Sequence, residues 1–123
     1  MNERIERRKH QRKETHVPLK YSKLRDSSGN KEDRAITKDI SPGGACFKIE
    51  KFISMANRLI VELKLPEKEK PIKAIAKIAW IKRSSFGNAY ETGNQFLEMS
   101  KEDRDSITEY VNNFGESNSF NAE

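Results

Sequence analysis

Through the middle of the chain, apolar and polar side chains alternate with a period of two. Val17, Leu19 and Tyr21 interleave with Pro18, Lys20 and Ser22, the pattern of a strand that buries one face. Asp26-Ser-Ser-Gly-Asn30 supplies turn chemistry, and Arg34–Ile40 reads as a second strand. Ser41-Pro-Gly-Gly44 ends that strand, its two glycines permitting backbone angles closed to other residues. Ala45, Phe47 and Ile49 then alternate with Cys46, Lys48 and Glu50, and Leu59, Val61, Leu63 and Leu65 with Ile60, Glu62 and Lys64. After a charged, proline-closed turn at Pro66–Pro71, Ile72, Ala74, Ala76, Ile78 and Trp80 recur at a spacing of two. That run is long enough to curve around a barrel. A loop at Ser84–Asn88 and a strand near Ala89–Phe96 complete about six strands, with no helix between them. The expectation is an all-β antiparallel sandwich or barrel.

One helix closes the pattern. Ser100 is its cap, with Asp103 standing where a capping box has Glu. Ile107, Tyr110, Val111 and Phe114 share a face, and Gly115 suits the stop. Residues 1–16 hold a single aliphatic side chain after Met1, Ile5, and so have no face to bury. The organisation expected is a flexible basic arm (1–16), one domain (17–115) and a frayed tail (116–123).

Composition narrows the class. With 123 residues, 34% hydrophobic and 35% charged, the chain can build one small core. No apolar run approaches the ~18 residues of a membrane span, and the charged N-terminus lacks the apolar stretch of a secretory signal. A single cysteine, Cys46, cannot form an internal disulfide, which fits a reducing, cytoplasmic setting. The net charge of +5 is unevenly spread. Residues 1–25 carry nine basic and three acidic side chains, while residues 100–123 carry two and six. A basic block at one end suits an anionic ligand, although a solvated leader has the same composition.

No catalytic constellation is visible. His10 and His16 lie in the arm, Cys46 sits among apolar neighbours, and no Cys/His spacing suits zinc. The reading is therefore a non-enzyme with no metal and no cofactor. Two polar clusters remain. Arg8 and Arg12, four apart and preceded by Arg7, can offer planar forks to phosphate or to the O6/N7 edge of guanine. Asp39-Ile-Ser-Pro-Gly-Gly44 sets a carboxylate, a hydroxyl and exposed backbone N–H groups at a strand end. Alone, it reads first as an ordinary β-turn in which Asp39 and Ser41 cap their own backbone.

Taken together, Arg8-x-x-x-Arg12, 26 intervening residues and Asp39-x-Ser41-x-x-Gly44 resemble the PilZ family of cyclic di-GMP receptor domains. The likeness covers nearly the whole chain and includes the aliphatic strand ending near Trp80, Gly93-Asn-Gln-Phe96 and the closing helix. It implies a six-stranded antiparallel β-barrel that binds cyclic di-GMP on its outer wall. It also implies that Arg8, Arg12, Asp39, Ser41 and Gly44 are ligand residues, with the Gly43 backbone completing the shell. The chemistry agrees, since guanine offers acceptors to arginine and N1–H and N2–H donors to a carboxylate. Arg7 reads as a contact to a second, stacked nucleotide or as a solvated charge. Trp80 reads as barrel wall more than as a base platform. The mechanism expected is an arm that orders over the ligand and presents a surface to a downstream partner protein. Two rivals remain: a small β-barrel that binds nucleic acid through the arm, and a PilZ-like adaptor that does not bind nucleotide.

Overall fold

The computed structural model describes residues 13–14, 16–25, 32–66, 68–85 and 87–122. The alternating segments become strands where expected. They are β1 (Lys13–Glu14), β2 (Pro18–Lys23), β3 (Asp33–Ser41), β4 (Gly44–Ile49), β5 (Arg58–Leu63), β6 (Ile72–Arg83) and β7 (Tyr90–Met99), followed by helix α1 (Lys101–Ala122). The turn expected at Asp26–Asn30 lies outside the described residues. Strands β2 to β7 pair in the order β3-β2-β5-β6-β7-β4, and β4 pairs back onto β3, closing a six-stranded antiparallel barrel. Closure leaves one predominantly apolar interior, formed by the inward half of each alternating run. Val17, Leu19, Phe47, Val61, Leu63, Ile72 and Ile78 all lie within it at 3% exposure or less.

Strand β6 does most of the wrapping. Its first half pairs with β5 and most of its length with β7, and register shifts at Ile75/Ala76 and Ile78/Trp80 bend it between the two. The helix adds Ile107 and Val111 to the same core. Ser100 caps it, its Oγ accepting the Asp103 N–H at 3.0 Å. The reciprocal limb of the capping box is absent: the Asp103 carboxylate accepts the Lys73 N–H of β6 at 3.2 Å instead. An aspartate is one methylene shorter than the glutamate that reaches back in that motif.

Two expectations fail here. The helix does not stop at Gly115 but continues to Ala122, through the stretch read as a frayed tail. A glycine inside a helix costs about 1 kcal/mol, which weakens a helix without breaking it. The second departure is β1, a strand inside the segment read as arm. Lys13 pairs with Ile40 and Glu14 with Asp39. Backbone pairing needs no apolar side chain, so a search for alternation cannot see it.

Candidate functional site

The β1 pairing matters for the site. It ties residues 13–14 to β3 beside the Asp39–Gly44 motif. Arg7, Arg8 and Arg12 themselves lie outside the described residues. Asp39, Ser41, Gly43 and Gly44 occupy the β3–β4 hairpin, in which Ser41 pairs with Gly44 across Pro42-Gly43.

Within that hairpin the polar groups are already engaged. Ser41, 6% exposed, accepts the Gly43 N–H on its Oγ at 3.2 Å and donates to the Gly44 carbonyl at 3.5 Å. The Gly43 carbonyl accepts the Phe96 N–H at 2.9 Å. The Pro42 carbonyl accepts from Arg104 Nη1 of the helix, also at 2.9 Å. Ser41 therefore caps its own turn, as one of the two sequence readings held.

The glycines differ from expectation as well. Neither Gly43 nor Gly44 takes a positive φ; among the described glycines only Gly87 does, at 71°. Gly44 is required by packing instead. A Cβ there would lie 2.1 Å from the Asn94 carbonyl oxygen of β7, so the backbone of a neighbouring strand leaves no room for a side chain.

Asp39 is half-buried. It precedes Ile40, which is fully buried in the core, so by alternation its own side chain faces outward. Its register continues around the wall: Asp39 pairs with Cys46, Cys46 with Gly93, and Gly93 with Trp80. One outward row thus crosses four strands, from a carboxylate to an indole. Three strand spacings make it about 14 Å long. The residues between are small. Trp80, 40% exposed, lies over Gly93 and occupies the space of a Cβ there, which would be 2.1 Å from its Nε1. Ser41, Gly44, Gln95 and Lys77 form the adjoining row.

Cations border the indole. Glu91 sits between Lys38 at 3.0 Å and Lys82 at 3.4 Å, and the Lys82 ammonium is 5.9 Å from the centre of the Trp80 ring. The hydrogen bond from Lys38 holds the Glu91 carboxyl below its ordinary range, and the same bond raises the Lys38 amine. Lys38 is available there because the β3 ladder slips between Thr37 and Asp39. Lys38, Lys82 and Glu91 were not singled out in the sequence, because their meeting depends on register. Behind the row the barrel keeps a small polar layer: Thr92 Oγ1 donates to the Phe47 carbonyl at 2.8 Å, and Asn94 Nδ2 donates to the Ala45 carbonyl at 3.2 Å. Among the described residues no three His, Cys, Asp or Glu side chains gather as a metal site would require. No described helix is long and apolar enough to cross a membrane.

Comparison with known proteins gives a consistent picture. The family model for the PilZ domain matches residues 6–113. No curated protein sequence matches. Among solved structures, the Bacillus subtilis inhibitor of motility MotI/DgrA superposes with a TM-score of 0.76 at 17% identity, over 90% of this chain and 52% of that one. Escherichia coli YcgR in complex with c-di-GMP gives 0.72 at 17% identity, over 94% and 49%. The MrkH–c-di-GMP complex of K. pneumonia gives 0.68 at 21% identity, over 88% and 51%. The chain spans about half the length of each of these proteins.

Proposed function

The chain belongs to the PilZ domain family, and from that premise we propose that it is a receptor for cyclic di-GMP, not an enzyme, binding the ligand on the outward row from Asp39 to Trp80. The observation that carries the reading is the convergence of the arm's anchor and the Asp39–Gly44 hairpin on one edge of the barrel. Two of the similar structures are complexes with c-di-GMP, which supports the choice of ligand.

The arm's reach matches the row. Arg12 is one peptide link from Lys13, which pairs with Ile40. Arg8 is five residues from Lys13, a span of up to about 17 Å when extended, against about 14 Å from Asp39 to Trp80. The two guanidiniums can therefore close over a ligand lying on the wall. Asp39 accepts the guanine N1–H and N2–H, while Arg8 and Arg12 serve the phosphates and the O6/N7 edge. The Trp80 indole offers a face for base stacking beside the Lys82 charge. Ser41, Gly43 and Gly44 contribute by holding the hairpin's shape. Arg7 contacts a second nucleotide stacked on the first, giving two per chain. Ordering of the arm then turns a basic segment into a new surface for a downstream protein.

Calorimetry tests the reading. Cyclic di-GMP should release heat with an end-point near two per chain, and GTP and linear pGpG should not. Arg7→Leu should move the end-point towards one. Absence of heat with the cyclic ligand would remove the proposal.

A further inference from the structure

Strand β3 is paired on both sides only along its C-terminal half. The β3–β4 ladder ends at Thr37↔Phe47, whereas Asp33–Ile36 pair with β2 alone. The Thr37 N–H points to the Val17 carbonyl on the β2 side. Backbone groups alternate along a strand, so the N–H and C=O of Arg34 and Ile36 face away from β2. The partner opposite Ile36 is Pro18, which has no N–H to donate, consistent with that orientation. This stretch is an open sheet edge.

A groove of about 1540 Å³ lies along the edge. Its floor is apolar, centred on Ile36, which is 59% exposed. Its rim carries Lys20, Arg34 and Lys48, none of which joins an ion pair among the described residues, and four glutamates, of which Glu62 and Glu91 are paired with lysines, leaving more unpaired cations than anions. Charged side chains alone would read as protection against edge-to-edge aggregation. A protected edge does not need a large exposed aliphatic at its centre.

We propose that this edge takes up an extended acidic segment of a partner protein as an added strand. Main-chain hydrogen bonds to Arg34 and Ile36 would supply register, and alternate side chains would supply specificity. On one face of the incoming strand, acidic residues at every second position meet Lys20, Arg34 and Lys48, and an aliphatic residue on that same face covers Ile36. A second copy of this chain fits poorly, because antiparallel pairing of two such edges sets the same cations against each other. Nucleic acid lacks the backbone that the edge would pair with. Asp39 lies beyond the Thr37/Asp39 register shift on the same strand, so the partner would bind beside the nucleotide wall. The proposal does not depend on nucleotide binding, and its test is run without nucleotide.

The probe is a fluorescein-labelled heptapeptide, Glu-Thr-Glu-Thr-Ile-Thr-Glu, with its acids and its isoleucine on one face, blocked at its C-terminus and titrated with the full chain by anisotropy. Saturable binding below about 1 mM is expected, with slowed amide exchange at Arg34 and Ile36. Ile36→Lys and Arg34→Glu should each weaken binding about tenfold. Both sites are exposed, so melting temperatures should stay near that of the parent chain; should a variant unfold, the peptide controls on the parent chain decide. A peptide N-methylated at alternate residues, or one with Lys in place of Glu, should not bind. The proposal is overturned by no saturation, by equal binding of the N-methylated peptide, by protection elsewhere on the barrel, or by peptide-independent dimerisation through this edge in sedimentation.

Discussion

Asp39 and Trp80 stand at opposite ends of one row, and single substitutions there separate ligand contact from fold. Asp39→Ala should weaken cyclic di-GMP binding by about 1.5–3 kcal/mol, the scale of a hydrogen bond to a charged group. The apo melting temperature should hardly move, and an affinity equal to that of the parent chain would remove Asp39 from the site. Gly93→Ala is subtler: its methyl would need the space of the Trp80 ring, so the indole must swing out. A red-shifted tryptophan emission with weakened nucleotide binding is expected, and an unchanged spectrum would show that the two residues are not packed as described. A third residue reports on the core. Burial, reinforced by Asp33 and Glu50, pushes the Tyr21 phenol up to about 12. Folding therefore favours the neutral phenol, and the unfolded chain loses its proton first, near the ordinary value of about 10. Stability should fall as pH rises from about 10 to about 12, and Tyr21→Phe should flatten that fall in urea melts.

Among the elements, helix α1 reaches the hairpin by a single side chain. Arg104 donates to the Pro42 carbonyl at 2.9 Å, holding the Ser41–Gly44 turn from outside the sheet. Arg104→Ala should cost about 1–2 kcal/mol of stability and loosen the turn, measured by urea melts and by amide exchange at Gly43. Unchanged exchange would mean that Ser41 alone holds the turn. The strands were legible in the sequence because each buries one face, so alternation marks Leu59–Leu63 or Ile72–Ile78 without further information. Helix α1 was legible at its start, where Ser100 caps it, but not at its end, because Gly115 lacks the left-handed turn that would terminate it. Strand β1 was invisible, since backbone pairing over two residues leaves no alternation to read. The motif positions Asp39 and Ser41 could be read from type and spacing. Their neighbours could not: Cys46, Gly93 and Trp80 meet Asp39 only through three registers, and one sequence carries no register. Glycine was half-read, with its need at Gly44 recognised but its reason, the backbone of β7, decided by packing.

At the scale of the whole molecule, a closed barrel holds residues 13–14, the end of the basic segment, against β3. A ligand with two phosphates releases few counterions, so binding should fall only modestly between about 50 and 200 mM salt. Steep loss over that range, with duplex DNA binding more tightly than the dinucleotide, would favour a nucleic-acid binder. The arm's part shows in truncation: a chain beginning at residue 13 should keep its melting temperature and lose nucleotide affinity. Location is the claim on which the rest depends, and an amide-resolved NMR titration of the full chain with cyclic di-GMP measures it directly. The largest shifts are expected at Asp39, Cys46, Gly93 and the Trp80 indole N–H, with new signals from Arg8 and Arg12 as the arm orders. Shifts confined to the opposite wall around Ile60 and Ile75, or none at saturating ligand, would contradict it.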